Sequence, residues 1–296
     1  MQDEESPSAG FGLLLSAQAG ETERDETERE QGYDSDLESL VIGLDYRFDD
    51  ALVIGAAYAM TRDATAYDGD SGDMETDSQS LMGYFTYLVG DAGYINGYVG
   101  VAPLEYDNER NFSIEGPNVT DAGTGTVTAS YDGDQTMAGI GGGYDWYPGN
   151  YSVGVFANFD YSETEIDGYE EQGDTNFELI YPEQRSRSAP ISLGVNGSFV
   201  VDMGWASLIP NASLAAVYET QQDSRSFAAR LKLMPEDHPT EFILETDDPD
   251  REYGIATLGA VIATHSGTQL FLTYVQLLWH DFYDTWSLTA GVLVEF

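Results

Sequence analysis

The chain has 296 residues, no cysteine, 32 glycines, 20 tyrosines, and 53 acidic against 11 basic residues, a formal net charge of -42. These counts exclude disulfides and thiolate metal sites, a nucleic-acid partner whose phosphates such a charge repels, and a disordered chain, which would lack an aromatic share of 12 %. No stretch approaches the roughly 18 uninterrupted apolar residues of a membrane helix.

Met1 precedes Gln2-Asp3-Glu4-Glu5, which has neither the basic nor the apolar region of an export signal. Either a signal peptide has been removed or an upstream portion is missing; residues 1–9 are expected to be a short flexible lead, and Gln2 onward reads as a mature start. From Gly10 onward apolar positions alternate in twelve segments: about 10–21, 36–48, 51–62, 79–89, 93–103, 135–147, 151–162, 188–201, 205–219, 252–264, 268–280 and 285–296. Tight turns rich in Gly, Pro, Asn, Asp and Ser join alternate pairs, at 49–50, 90–92, 148–150, 202–204 and 265–267. The other links are mostly long and acidic: 22–35, 63–78, 104–134, 163–187 and 220–251, with a shorter one at 281–284. Short turns on one side and long loops on the other predict an all-β fold over 10–296, a twelve-stranded antiparallel transmembrane β-barrel of the outer-membrane type. The short turns face the periplasm and the long loops the exterior.

The strands carry the matching code. Leu40, Ile42, Leu44, Tyr46 and Phe48 oppose Ser39, Val41, Gly43, Asp45 and Arg47; Val153, Val155, Ala157, Phe159 and Tyr161 oppose Ser152, Gly154, Phe156, Asn158 and Asp160. One face suits lipid and the other a polar lumen, over strands of about ten residues as a bilayer crossing demands. Tyr46, Phe48, Tyr144, Trp146, Tyr147, Trp205 and Phe296 crowd the short-turn ends, and Tyr58, Tyr67, Tyr161, Tyr218, Trp279 and Trp286 the long-loop ends, as interfacial girdles do. Pro210, inside the ninth segment, is expected to sit at a bulge.

The same alternation assigns Asp45, Arg47, Asn96, Asp145, Asn158, Asp160, Asn196, Asn211, Glu219, Thr273 and Glu295 to the lumen, where they would line a pore or a hydrogen-bonded plug. Arg225, Arg230 and Lys232 gather basic charge in one alternating segment, either an extracellular hairpin continuing the ninth strand or one folded over the pore against lumenal acids. Catalytic material is scarce: the only histidines are His238, His265 and His280, of which His280-Asp281 at a loop mouth could form a dyad with a hydroxyl. No Gly-x-Ser-x-Gly elbow occurs, and no enzyme is expected. The acids of 68–73 and 247–250 would suit calcium, but a solvated loop is the expectation, with no metal and no cofactor.

The chain ends Thr289-Ala290-Gly291-Val292-Leu293-Val294-Glu295-Phe296. Thr289, Gly291, Val294 and Phe296 resemble the strand signal read by the outer-membrane barrel assembly machinery, since an unpaired amphipathic strand can add to another sheet edge. Gly32-Tyr33-Asp34-Ser35-Asp36, Gly43-Leu44-Asp45-Tyr46-Arg47-Phe48, Gly141-Gly142-Gly143-Tyr144-Asp145, Ile166-Asp167-Gly168-Tyr169-Glu170-Glu171, Thr246 to Tyr253 and Phe271-Leu272-Thr273-Tyr274 follow in order. Together they resemble the translocator β-barrel domain of autotransporters, the type V secretion family, which more often has acids at positions 273 and 275. That resemblance implies a barrel of the bacterial outer membrane that helps a passenger segment cross, with lipids, periplasmic chaperones and the assembly machinery as partners. Members thread a linker helix through the pore; Ser6-Pro7-Ser8 is not helical, so neither linker nor passenger is expected here. A monomer is expected, because a closed barrel needs no partner strand. The alternative is a self-standing barrel, a narrow channel or surface structural protein without a passenger.

Overall fold

The computed structural model describes residues 10–49, 51–114, 123–221, 226–234, 241–248 and 250–296. The lead at 1–9 and Arg225 lie outside the described residues. Alternation of period 2 makes strands, and their two faces then dictate closure: β1 (Gly10–Arg24), β2 (Tyr33–Arg47), β3 (Leu52–Tyr67), β4 (Gly72–Val89), β5 (Gly93–Ile114), β6 (Gly123–Trp146), β7 (Tyr151–Ile166), β8 (Pro190–Phe199), β9 (Ala206–Glu219), β10 (Glu252–Thr264), β11 (Thr268–Leu278) and β12 (Tyr283–Glu295). Each pairs antiparallel with the next, and β12 pairs with β1 from Gly12↔Glu295 to Arg24↔Tyr283. Among the described residues the cylinder is thus a closed barrel of twelve strands, as the sequence predicts.

The outward face carries Phe11, Leu13 and Leu15 on β1, Leu40, Ile42 and Leu44 on β2, and Val153, Val155 and Phe159 on β7, all exposed. In water such a surface would be a severe liability; in a bilayer it is the lipid contact. Phe48, Tyr144, Trp146, Tyr147, Trp205 and Phe296 are exposed at the short-turn rim. Tyr67, read as part of the opposite girdle, instead packs with Tyr33, ring centroids 6.1 Å apart, on the inward side of the ladder. Its parity on β3 matches Thr61 and Thr65, and that decides its side.

The strands are longer than the bilayer requires. Links 63–78 and 104–134, read as loops, are mainly strand: β4 starts at Gly72, and β5 and β6 have 22 and 24 residues. At about 3.3 Å per residue, 22 residues reach about 70 Å, more than twice the hydrocarbon thickness of roughly 30 Å even before tilt. The cause is that a ladder needs backbone partners, not apolar side chains. Outward positions above the apolar band are simply acidic instead, as at Glu105, Asp107 and Glu109.

No bulge accompanies Pro210. Ser198↔Asn211 and Val201↔Leu208 keep one register, and the ladder merely lapses between them, opposite the missing N–H. Pro103 does the same between Ser78↔Leu104 and Leu81↔Val101. Strand β8 is prolonged in register by Gln184–Ser188, broken only at Ala189 before Pro190.

The long loops build a second, four-stranded sheet in the order Glu241–Glu245, Ser226–Leu231, Leu179–Tyr181, Tyr169–Glu170. Well-buried apolar side chains sit near it: Val127 and Ala129 at inward positions of β6, and Ala229 within the sheet.

Candidate functional site

The lumen wall is built from flat-lying side chains. Tyr84 on β4 donates its hydroxyl to Asp45 Oδ2 on β2 at 3.2 Å, lying across Gly55 of β3 between them. Tyr98 on β5 reaches Asp160 of β7 at 2.8 Å across Gly139 of β6. A Cβ at either glycine would collide with the tyrosine ring. Glycine here is a matter of close approach: it lets the inward chains hug the wall and not project along the axis.

The register puts each of the eleven polar residues named for the lumen on this inward side. Asn96 and Asn158 flank Gly141, Asp145 and Asn196 flank Gly154, and Asn211 covers Gly259. Thr273 pairs with Gly259 and Thr289. Arg47 meets Glu295 at 3.3 Å near the short-turn end. Glu219, 7 % exposed, is different. Its carboxylate accepts from the Ser188 hydroxyl at 2.6 Å and the Ala189 and Gln221 amides at 2.9 and 2.8 Å. It thereby satisfies the donors freed where β8 breaks, which no lumenal polarity argument anticipates.

Above the membrane the second sheet spans the mouth. Its Tyr169 edge lies against β6: Thr128 and Gln172 exchange backbone hydrogen bonds of 3.0 and 2.7 Å. Arg110 on β5 grips Glu171, 1 % exposed, through Nε at 2.8 Å and Nη2 at 2.6 Å. Tyr106, Tyr131, Tyr169 and Tyr181 form one stack with centroids 4.9, 3.9 and 4.7 Å apart. At the opposite edge Asp247 follows the Glu241–Glu245 strand and meets β1. Arg24, only 3 % exposed, contacts Asp247 at 2.8 Å and Glu30 at 2.9 Å, and Thr27 Oγ1 donates to Asp247 at 2.6 Å. Beside this contact lies a cavity of about 690 Å³ reaching Ser188, Glu219, Tyr253, Leu277 and His280.

Of the basic segment, Arg230 pairs in the sheet with Glu241 and Ile180, so the segment does not continue the ladder of β9. Lys232 meets Glu170 at 3.1 Å, an acid of the neighbouring loop. His280 has Asp250 as its nearer carboxylate, at 3.9 Å, while its Nδ1 accepts the Phe282 and Tyr283 amides at 3.2 Å each. The Asp281 amide donates to Asp250 as well, so a His280–Asp281 dyad does not form. Burial pushes His280 below its ordinary value. The Thr27 hydroxyl, and then Arg24, hold Asp247 below the usual carboxylate range. No group of three or more His, Asp or Glu side chains suited to a metal occurs among the described residues. Sequence reasoning missed Arg24, Arg110 and Glu171. The available signal was scarcity: Arg24 and Arg110 are two of only 11 basic residues, and both hold inward positions toward the long-loop ends of their strands.

Residues 13–275 match the family model described as Autotransporter beta-domain. The chain is similar in structure to the translocator domain of autotransporter NalP from Neisseria meningitidis, with TM-score 0.72 and 16 % identity over 99 % of this chain and 90 % of that one. It is also similar to the beta domain of the Bordetella autotransporter Brka, at TM-score 0.68 and 17 % identity over 98 % and 100 %. Esterase EstA of Pseudomonas aeruginosa is 24 % identical over 229 residues, 75 % of this chain. Those residues are 33 % of the esterase, so the chain spans about a third of the length of the curated relatives it matches.

Proposed function

Because the chain belongs to the autotransporter β-domain family, a barrel of the bacterial outer membrane, we propose that it serves to carry a passenger segment across that membrane. The observation that carries this reading is the closed barrel whose inward side chains lie against the wall, with Tyr84 on Asp45 and Tyr98 on Asp160. A wall of short, hydrated, hydrogen-bonding groups suits an extended peptide of any sequence, because it offers polar partners without a shaped pocket. Asp45, Asn96, Asp145, Asn158, Asp160, Asn196, Asn211 and Thr273 are the groups such a segment would slide past, with Arg47 and Glu295 at its entry and Glu219 fixing the rim. In this reading the barrel does transport and no bond-breaking chemistry; hydrolysis belongs to the esterase named above.

Thr289, Gly291, Val294 and Phe296 are proposed as the strand read by the assembly machinery, delivered by periplasmic chaperones. In the finished barrel Phe296 exchanges backbone hydrogen bonds of 2.9 and 3.0 Å with Phe11, so the two uses of this strand are sequential. A second reading, a self-standing channel, is favoured by the sheet across the mouth. Placing a signal peptide and an epitope-tagged linker ahead of Gly10 separates them. Translocation predicts surface epitope on intact cells, and an epitope that stays periplasmic while the barrel inserts would overturn it.

A further inference from the structure

The sheet that spans the mouth is held unequally at its two edges. On the β5–β6 side it has backbone hydrogen bonds, a bidentate ion pair to a buried carboxylate and a four-ring stack. On the β1 side no strand pairing occurs among the described residues: Arg24 reaches Asp247 and Glu30 and the Gln31 carbonyl at 3.1 Å. Thr27 donates to Asp247, the Asp247 amide donates to Glu30 at 2.8 Å, and Arg29 donates to the Thr246 carbonyl at 3.3 Å. The β1 and β6 strands lie five places apart on a ring of twelve, so the two edges rest on opposite walls. Strand order in the sheet runs from one wall to the other.

The latch is also incomplete. Arg24 Nε is buried with no protein acceptor among the described residues, while Nη1 and Nη2 are engaged by Gln31, Glu30 and Asp247, so only part of the donor fork is used by the latch. A packed element held firmly at one edge and by desolvated charges at the other has two discrete arrangements, not a continuum.

We propose that this sheet is a gate over the lumen, hinged on β5–β6 and latched on β1 by Arg24 with Asp247 and Glu30. With the latch broken, the Asp247 edge lifts and the lumen beneath it opens to the exterior. The inference rests on the fold and not on the passenger reading, so either can fail alone.

The test uses the full chain, reconstituted in planar bilayers, and exploits the absence of native cysteine. Arg24→Gln and Asp247→Asn each remove one side of the latch. The double variant Thr27→Cys with Asp247→Cys breaks it too, and a short bifunctional thiosulfonate reagent can rejoin it across the gap that now holds a 2.6 Å hydrogen bond. Wild type should conduct little. Asp247→Asn and the unbridged double variant should conduct several-fold more, bridging should restore the wild-type level, and a reductant should release it again. Folding is verified independently by heat-modifiable migration on gels, so a variant that misfolds is replaced by its milder partner. If folded variants conduct like wild type whether bridged or not, the sheet does not control passage and the proposal is wrong.

Discussion

Single positions divide by which solvent they meet. Asn158 and Phe159 are neighbours on β7, yet one flanks Gly141 inside and the other is exposed outside. Phe159→Arg sets a charge against lipid and should destabilise by roughly 2–4 kcal/mol near the midplane. Asn158→Arg should be much milder, since lumenal water can hydrate it. Folding titrations into lipid vesicles measure both, and equal damage would contradict the wet lumen. His280 offers a second test at this scale. Its folded value is depressed, so the neutral ring stabilises the loop above an unfolded value of about 6.5. That contribution should fade as pH falls below this value. Asp250 and Asp281 oppose the shift, being anionic neighbours. The protection factors of the Phe282 and Tyr283 amides, taken against their intrinsic exchange rates at each pH, should therefore fall between pH 7 and 5, and do so less in His280→Gln. Protection factors that do not change with pH would mean the ring's Nδ1 is not their acceptor.

Among the elements, the twelve strands and their inward and outward faces were legible because period-2 alternation survives in every segment. The extensions of β5 and β6 were not, because their outward positions are charged and so imitate loops. Nor was the sheet over the mouth. Its strands are two to six residues long, and segments that short have no period to read. What holds them is remote in sequence: Arg24 and Asp247 are 223 positions apart, Arg110 and Glu171 61. Arg110→Met should leave the Glu171 carboxylate buried without its cation, a loss of about 3 kcal/mol or more. Its readout is local: faster proteolysis within 167–183 with the barrel's heat resistance intact. A melt of the whole barrel in parallel would show instead that the sheet is part of the cylinder's own stability.

For the molecule as a whole, a charge of -42 brings some like charges face to face. Glu21 faces Asp36, Glu23 faces Asp34, Glu75 faces Asp107 and Asp77 faces Glu105 directly across their ladders. Like charges so placed are separated by about 5 Å and repel. Screening shortens from about 10 Å at 0.1 M to 3 Å at 1 M salt. The detergent-solubilised barrel should thus melt at a higher temperature in 1 M sodium chloride than in 0.05 M, and an equally concentrated neutral osmolyte should not reproduce the whole gain. A flat response to salt would show that the acids are already neutralised.

The seam between β12 and β1 has a consequence for how the cylinder comes into being. Every other ladder of the barrel joins strands that follow one another along the chain, and can grow outward from a local hairpin. The seam pairs Gly12 with Glu295 and Arg24 with Tyr283, nearly the whole chain apart. Closure entropy rises with the length enclosed, so that ladder gains least until all the others are in place. It is therefore the last to form. Until it does, the chain is a curved ribbon with two bare edges, each a template for a neighbour's strand. The hazard in making this molecule lies in the lifetime of that ribbon, and a faster closing step protects it more than a more stable wall.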